Sequence, residues 1–351
     1  MSSVFKPTAV TIGIALVVLA QHASAQFYAL IDLGSLVPNS YSVPHSLNEN
    51  ADVVGYSYAG FGAHAFAWTA AGGIFDLGTL GGNTSYAYGI NDQQQVVGYG
   101  LQGSSEQAFI WSAATGMQLL GTLGGATSNA REINNAGQVA GYSQISTGKS
   151  RAYLWTAETG MQNLGTLGTA SSNSYATGIN DSGQVAGFSN IGPFTHAFRW
   201  DSAQGMQDLG TLDGGKSYGK AISNNGSVVG YATAGGVEHA FLWTPATGMQ
   251  DLGTLGGNNS YAKGVNDSGS VVGQSDTATT AQGFVWSQAE GMRNLNALLP
   301  DAHGWTVEAA LGINERGVIT ALGRDTGGRT HALLLAPLLD EQPAAEEPPA
   351  E

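Results

Sequence analysis

Tryptophan recurs at positions 68, 111, 155, 200, 243 and 286, at intervals of 43, 44, 45, 43 and 43 residues. A period of 40 to 45 residues is the length of one four-stranded blade of a propeller. Four phrases recur inside each period. Ser-Tyr-Ala-x-Gly-Ile/Val-Asn stands at 85–91, 174–180 and 260–266. A Val-Val-Gly-Tyr-like phrase stands at 96–99, 185–188 and 228–231. His-Ala-Phe-x-Trp stands at 64–68, 196–200 and 239–243, and Met-Gln-Asp-Leu-Gly-Thr-Leu at 206–212 and 249–255. Alternation, β-branched and aromatic content and flanking turn residues make each phrase a strand. We label the strands A to D in that order. Asn-Asp-Ser-Gly (180–183, 266–269) joins A to B and Thr-Pro-Ala-Thr-Gly (244–248) joins C to D. Asn and Asp bond their own backbone in such turns and Gly supplies a positive φ.

The two ends of the repeat run are out of phase. The chain opens on a D-like segment at 29–36 and closes on a C-like segment at 331–335 with no D after it. The first strand therefore completes the last blade, which removes the exposed edges a linear stack would leave. Seven A segments can be counted. The expected fold is all-β, a single seven-bladed β-propeller over residues 26–338, closed by its N-terminal strand and monomeric.

Composition adds exclusions. The chain has 52 Gly, no Cys and 11% charged residues, so it carries no disulfide framework, cysteine metal site or cysteine nucleophile. The net charge of −14 opposes a phosphate backbone, so no nucleic-acid partner is expected. Residues 1–25 read as a signal peptide. Lys6 precedes an apolar run from Thr8 to Ala20, and Ala23-Ser24-Ala25 suits cleavage. The expected location is secreted or periplasmic, with no membrane span after cleavage. Residues 339–351 form an acidic Pro/Ala/Glu tail of disordered composition.

The His-Ala-Phe-x-Trp, Asp-Leu-Gly-Thr-Leu and Gly-Ile-Asn-Asp-x-Gly-Gln-Val-type phrases resemble the HAF repeat of bacterial extracellular proteins, over about the whole mature chain. The resemblance implies export and a repeat architecture. It implies no particular activity. Many relatives end in a Pro-Glu-Pro sorting motif and a membrane segment, where this chain reads Glu-Glu-Pro-Pro.

A residue present in every blade is most simply explained by the blade. The Trp stripe reads as packing between blades. The His of the HAF phrase stands at 64, 196, 239 and 331, with Gln107, Arg151 and Gln282 in the other copies. Sheets pack about 10 Å apart, too far for equivalent His residues to share a zinc ion, so a side-chain bond is expected and no metal site. The repeated Asp32, Asp76, Asp208 and Asp251 read as structural as well. No cofactor motif and no nucleophile elbow occurs.

Function is sought where the copies differ. The fourth position of strand A is His45, Tyr88, Arg131, Thr177, Lys220, Lys263 and Leu311 around the ring. Strand A lines the channel of a propeller. Arg131, Lys220 and Lys263 there read as a basic funnel for an anionic or polyhydroxyl ligand, such as an extracellular polysaccharide or envelope component. The B–C loops (100–106, 143–150, 189–195, 275–281, 323–330) and an enlarged D–A connection at 299–305 share one face, which adds His303 and Trp305 as ligand contacts. One alternative is a glycan-cleaving hydrolase. Glu132 replaces the Gly, and Glu308 the Ser, of strand A in blades 3 and 7, and paired carboxylates about 5 to 9 Å apart suit glycoside hydrolysis. In a regular strand Arg131 would point away from Glu132. A matrix protein without a small ligand is the other alternative.

Overall fold

A computed structural model describes residues 27–338. The expected signal peptide and acidic tail lie outside the described residues. The chain is an all-β, seven-bladed propeller of four-stranded antiparallel sheets. Blade 4 is representative: Ser174–Ile179, Val185–Ile191, Phe194–Asp201 and Gly205–Asp208. Blade 7 takes Trp305–Ile313, Ile319–Asp325 and Thr330–Pro337 from the C-terminal end, and Tyr28–Asp32 as its fourth strand. Ile31 stands opposite Leu334 in that pairing.

The apolar residues form seven clusters, one in each gap between blades. Val54 and Ala65 of blade 1 meet Ala87, Val96 and Phe109 of blade 2, with Trp111 packed against them. Ala332 and Leu334 of blade 7 meet Leu47, Val53 and Phe66 of blade 1. Each sheet therefore has two buried faces, which is why strand B reads Val-Val-Gly rather than alternating with polar residues.

Serine ties adjacent blades. The strand-A Ser85 hydroxyl accepts from the N–H of Ala65 in the preceding blade (2.9 Å) and donates to the Gly78 carbonyl (2.6 Å). Ser42 does the same for Ala332 across the closure. Blade 7 departs from this rule. Val307 occupies the Ser place opposite Gly323, and Glu308 is an extra, bulged residue. Glu308 is thus an insertion and not the replacement of Ser that the sequence suggested. Its neighbour in blade 6 responds. Gly283 stands where other copies have Ala, and a Cβ there would come within 2.7 Å of Val307.

Two boundaries differ from the sequence reading. Strand D stops at its Asp, because Asp76 Oδ1 accepts the Gly78 N–H (2.7 Å) and turns the chain inward at Leu77. The Gly-Thr-Leu segment belongs to the D–A connection. The B–C loops are mostly strand: in blade 2 the pairing runs to Gln102 opposite Ser105, leaving a two-residue turn at Gly103 and Ser104. Gly103 has φ +63, so residues read as loop were hairpin ends.

Candidate functional site

In blades 1 to 6 strand A slips register between its third and fifth residues, as at Ala130/Glu132, Gly219/Ala221 and Ala262/Gly264. The skipped residue is the variable fourth one. Blade 7 skips Leu311 in the same way. A bulge leaves its extra residue out of the ladder and re-aims the side chain. All seven fourth-position residues line one axial cavity of about 830 Å³. The bulge also explains the Gly of strand B. A Cβ on Gly187 would fall on the Tyr175 carbonyl oxygen, and Gly98 and Gly230 meet Tyr86 and Tyr218 in the same way. Gly187→Ala is expected to destabilise the protein by about 2 kcal/mol, read as a lower urea midpoint at unchanged slope.

Three cations share this cavity. The Arg131 guanidinium lies 4.1 Å from the Tyr88 ring centre and donates to the Tyr142 hydroxyl at 3.0 Å. Lys220 Nζ stands 5.3 Å from the Tyr231 ring centre and 5.6 Å from that of Phe188. Burial, then Lys263 and Arg131, push Lys220 down to about 8, and burial lowers Lys263. Among the described residues none of the three forms an ion pair. His45 packs on Tyr88 at 4.2 Å between ring centres, and its Nε2 is buried with no hydrogen-bond partner. Burial, with Arg131 and Lys263, drives its pKa down to about 3, so the imidazole is neutral.

The two glutamates have different surroundings. The bulge brings Glu132 onto the cavity wall beside Arg131, contrary to simple alternation. Its carboxylate passes over Gly89 of blade 2, accepts the Ile133 N–H at 3.2 Å and lies toward Ser46 of blade 1. Loss of hydration pushes its pKa up to about 8. Glu308 also borders the cavity, held by Arg324 at 2.6 Å. His303 and Trp305 are absent from the cavity wall. His303 is exposed and paired with Asp301 (3.1 Å), while Trp305 is half-buried against the Leu295 and Leu298 core, 5.2 Å from the His331 ring.

Two features were not singled out in the sequence. The first is an aromatic belt at the D–A end of strand A. Ring contacts run through Tyr41, Tyr56, Tyr86 and Tyr99, break at Asn129, and resume from Tyr142 through Tyr175, Phe188, Tyr218 and Tyr231 to Tyr261. Its signal was present as the Tyr of strand A and the Tyr of strand B. The second is a crown at the A–B end. The N–H of Glu49 donates to Asp92 (2.9 Å), Asp92 to Asn135 (3.0 Å), Asn135 to Asp181 (2.9 Å) and Asp181 to Asn224 (2.9 Å). Asn224 donates to Asp267 (2.6 Å), Asp267 to Glu315 (3.0 Å) and Glu315 to Glu49 (3.0 Å), closing the cycle.

The His of the HAF phrase is a structural residue. Nδ1 of His64, His196 and His239 meets Asp76, Asp208 and Asp251 of its own blade at 2.7, 2.8 and 2.8 Å. His331 meets Asp32 at 2.8 Å across the closure. The co-variation was legible: copies lacking His also lack Asp, as with Gln107 and Leu119, Arg151 and Asn163, and Gln282 and Asn294.

These observations define a seven-bladed propeller with a cationic cavity on its axis. Neither a family model nor a curated relative matches the chain. Among solved structures it is similar to the β-propeller domain of the Trilobed protease from Pyrococcus furiosus (TM-score 0.56, 9% identity, 87% of this chain and 99% of that one). That domain is described as having an open velcro topology, whereas here the N-terminal strand fastens blade 7. It is also similar to an acylaminoacyl peptidase from Pyrococcus horikoshii (TM-score 0.53, 9% identity, 86% of this chain and 52% of that one). A third is TolB from Acinetobacter baumannii (TM-score 0.45, 11% identity, 80% of this chain and 60% of that one). The chain therefore spans 60% of TolB and about half of the peptidase. At such identities the likeness is one of fold alone.

Proposed function

We propose that this is an exported binding propeller of the HAF-repeat type, whose ligand is an acidic, polyhydroxylated molecule of the cell exterior, such as an acidic glycan. One observation carries the reading: Arg131, Lys220 and Lys263 surround a single cavity with no ion-pair partner among the described residues. Buried charge is costly without a counter-charge. A protein of net charge −14 that concentrates cations on its axis provides a site for an anion to neutralise. A volume of about 830 Å³ suits a ligand of a few sugar units, and tyrosine rings offer faces for them. No helix among the described residues is long and apolar enough to cross a membrane.

Binding of uronate oligosaccharides, followed by calorimetry, tests this. Lys220→Gln with Lys263→Gln should weaken binding by about 100-fold, from the loss of two charge-assisted hydrogen bonds. Stability should not fall, because the two ammonium groups repel each other. Affinity should also drop as pH rises through about 8, where Lys220 loses its charge and Glu132 gains one. Binding that ignores both changes would refute the reading.

A further inference from the structure

The axial cavity differs at its two ends. At the D–A end Tyr142, Tyr175 and Phe188 of the aromatic belt stand on its wall, and beyond them the rim turns carry exposed rings. Phe61 in the B–C turn of blade 1 is 95% exposed, and Phe194 at the corresponding turn of blade 4 is 45% exposed. Tyr58 and Tyr41 join Phe61's side of the rim to Tyr56, with ring centres 6.2 and 6.3 Å apart. Next along strand A come the bulged residues with Arg131, Lys220 and Lys263. One residue further, the Glu132 side chain crosses blade 2 to reach Ser46. Last comes the crown, with Glu49, Asp92, Asp181, Asp267 and Glu315 each held by a neighbour's N–H.

Resting on the reading above, we propose that the channel receives the terminal unit of an acidic glycan end-on through the aromatic mouth, and that the carboxylate crown stops the chain from threading through. The chemistry is directional. Sugar faces stack on tyrosine rings at the aromatic end. The carboxylate of the leading unit then meets the cations. A next acidic unit pushed further would face five fixed carboxylates at the crown, and like charges repel at short range. Each crown carboxylate accepts a backbone N–H within the cycle, and Asn135 Nδ2 also donates to Asp92 (2.9 Å), which ties the carboxylates to the crown. The overall negative surface adds no attraction for charged units left outside the mouth. A chain end carrying one or two carboxylates is the ligand that fits both.

Two of the crown's five charges can be removed while its cycle of backbone N–H bonds is kept. Asn135 and Asn224 already accept the neighbouring N–H through their side-chain oxygens, so Asp92→Asn with Asp181→Asn keeps an acceptor for each backbone N–H of the cycle, at the cost of the oxygen that accepts from Asn135 Nδ2. The experiment measures wild type and this double variant against oligogalacturonates of two, four, eight and about fifty units. The last is long enough to span any channel in one domain of this size. End-on binding gives wild-type affinities per chain within about threefold from the tetramer upward. The double variant should leave the dimer within about twofold and gain about tenfold for the longest chain. Wild-type affinity that climbs in proportion to chain length, with no further gain in the double variant, would overturn end-on recognition and leave the anion site standing. No binding of any chain, or binding untouched by Lys220→Gln with Lys263→Gln, would instead overturn the anion site itself.

Discussion

Deleting residues 27–33 is expected to remove a large part of the protein's thermodynamic stability and to make it prone to aggregate. The segment supplies the fourth strand of blade 7, pairing Tyr28 to Asp32 with Leu333 to Pro337. It buries Tyr28, Leu30 and Leu33, in the blade 6–7 and blade 7–1 cores. Full burial of three such side chains contributes on the order of 6 kcal/mol, a large part of a typical total of about 5–15 kcal/mol. The deletion also strips Asp32 from His331 and leaves strand Thr330–Pro337 as an unpaired edge. The hub closure would remain, because Asn314 Nδ2 donates to the Asn48 carbonyl (3.2 Å) and Glu315 N–H to Glu49 (3.0 Å). The expected outcome is therefore a ring weakened at its rim. Thermal unfolding and size-exclusion profiles report it, and a truncated protein that elutes as the parent does, with an unchanged midpoint, would contradict this account of closure.

Glu132→Gln should stabilise the protein at neutral pH by on the order of 3 kcal/mol. The carboxyl titrates near 8 when folded, against an ordinary 4.5, because burial disfavours its charge. A folded pKa raised above the unfolded one means that stability is fully present below about 4.5. It is lost progressively as pH rises toward about 8. Gln keeps an oxygen for the Ile133 N–H and an amide toward Ser46, without the charge. The gain should vanish below pH 4.5 and reach its plateau above pH 8. Urea unfolding of both proteins between pH 4 and 9 measures it, and parallel curves at all pH values would show that Glu132 is not held in its neutral form. The same variant bears on the hydrolase alternative, which needs a carboxyl protonated at neutral pH facing a second carboxyl across the cavity. Glu308 is instead engaged by Arg324, and the Glu132 carboxyl reaches toward blade 1.

The architecture was legible because its causes are local and repeated. Period, strand patterns and turn residues all lie within one 43-residue window, and the phase mismatch of the termini is enough to require that 29–36 complete the last blade. The paired loss of His and Asp in the same copies held the HAF bond in plain view. What escaped was set by register. Alternation along 128–134 places Arg131 and Glu132 on opposite faces, and only the slipped pairing of Ala130 and Glu132 with strand B brings both onto the cavity. The same holds for Glu308, an insertion that is indistinguishable from a substitution until Val307 is seen opposite Gly323. Strand D and the B–C hairpins were misjudged at their ends, where one hydrogen bond from Asp76 or one positive φ at Gly103 decides whether the ladder continues.

The sequence by itself thus determined seven blades, their closure and the seven variable positions, since these follow from spacing and side-chain type along the chain. The tertiary structure alone decided that the positions read as a basic funnel sit on bulges, that Glu132 joins Arg131, Lys220 and Lys263 on the cavity wall, and that linked carboxylates ring the A–B end. Those residues lie scores of positions apart, and only the circular packing of the blades, with a bulge in each innermost strand, brings their charges within range of one another.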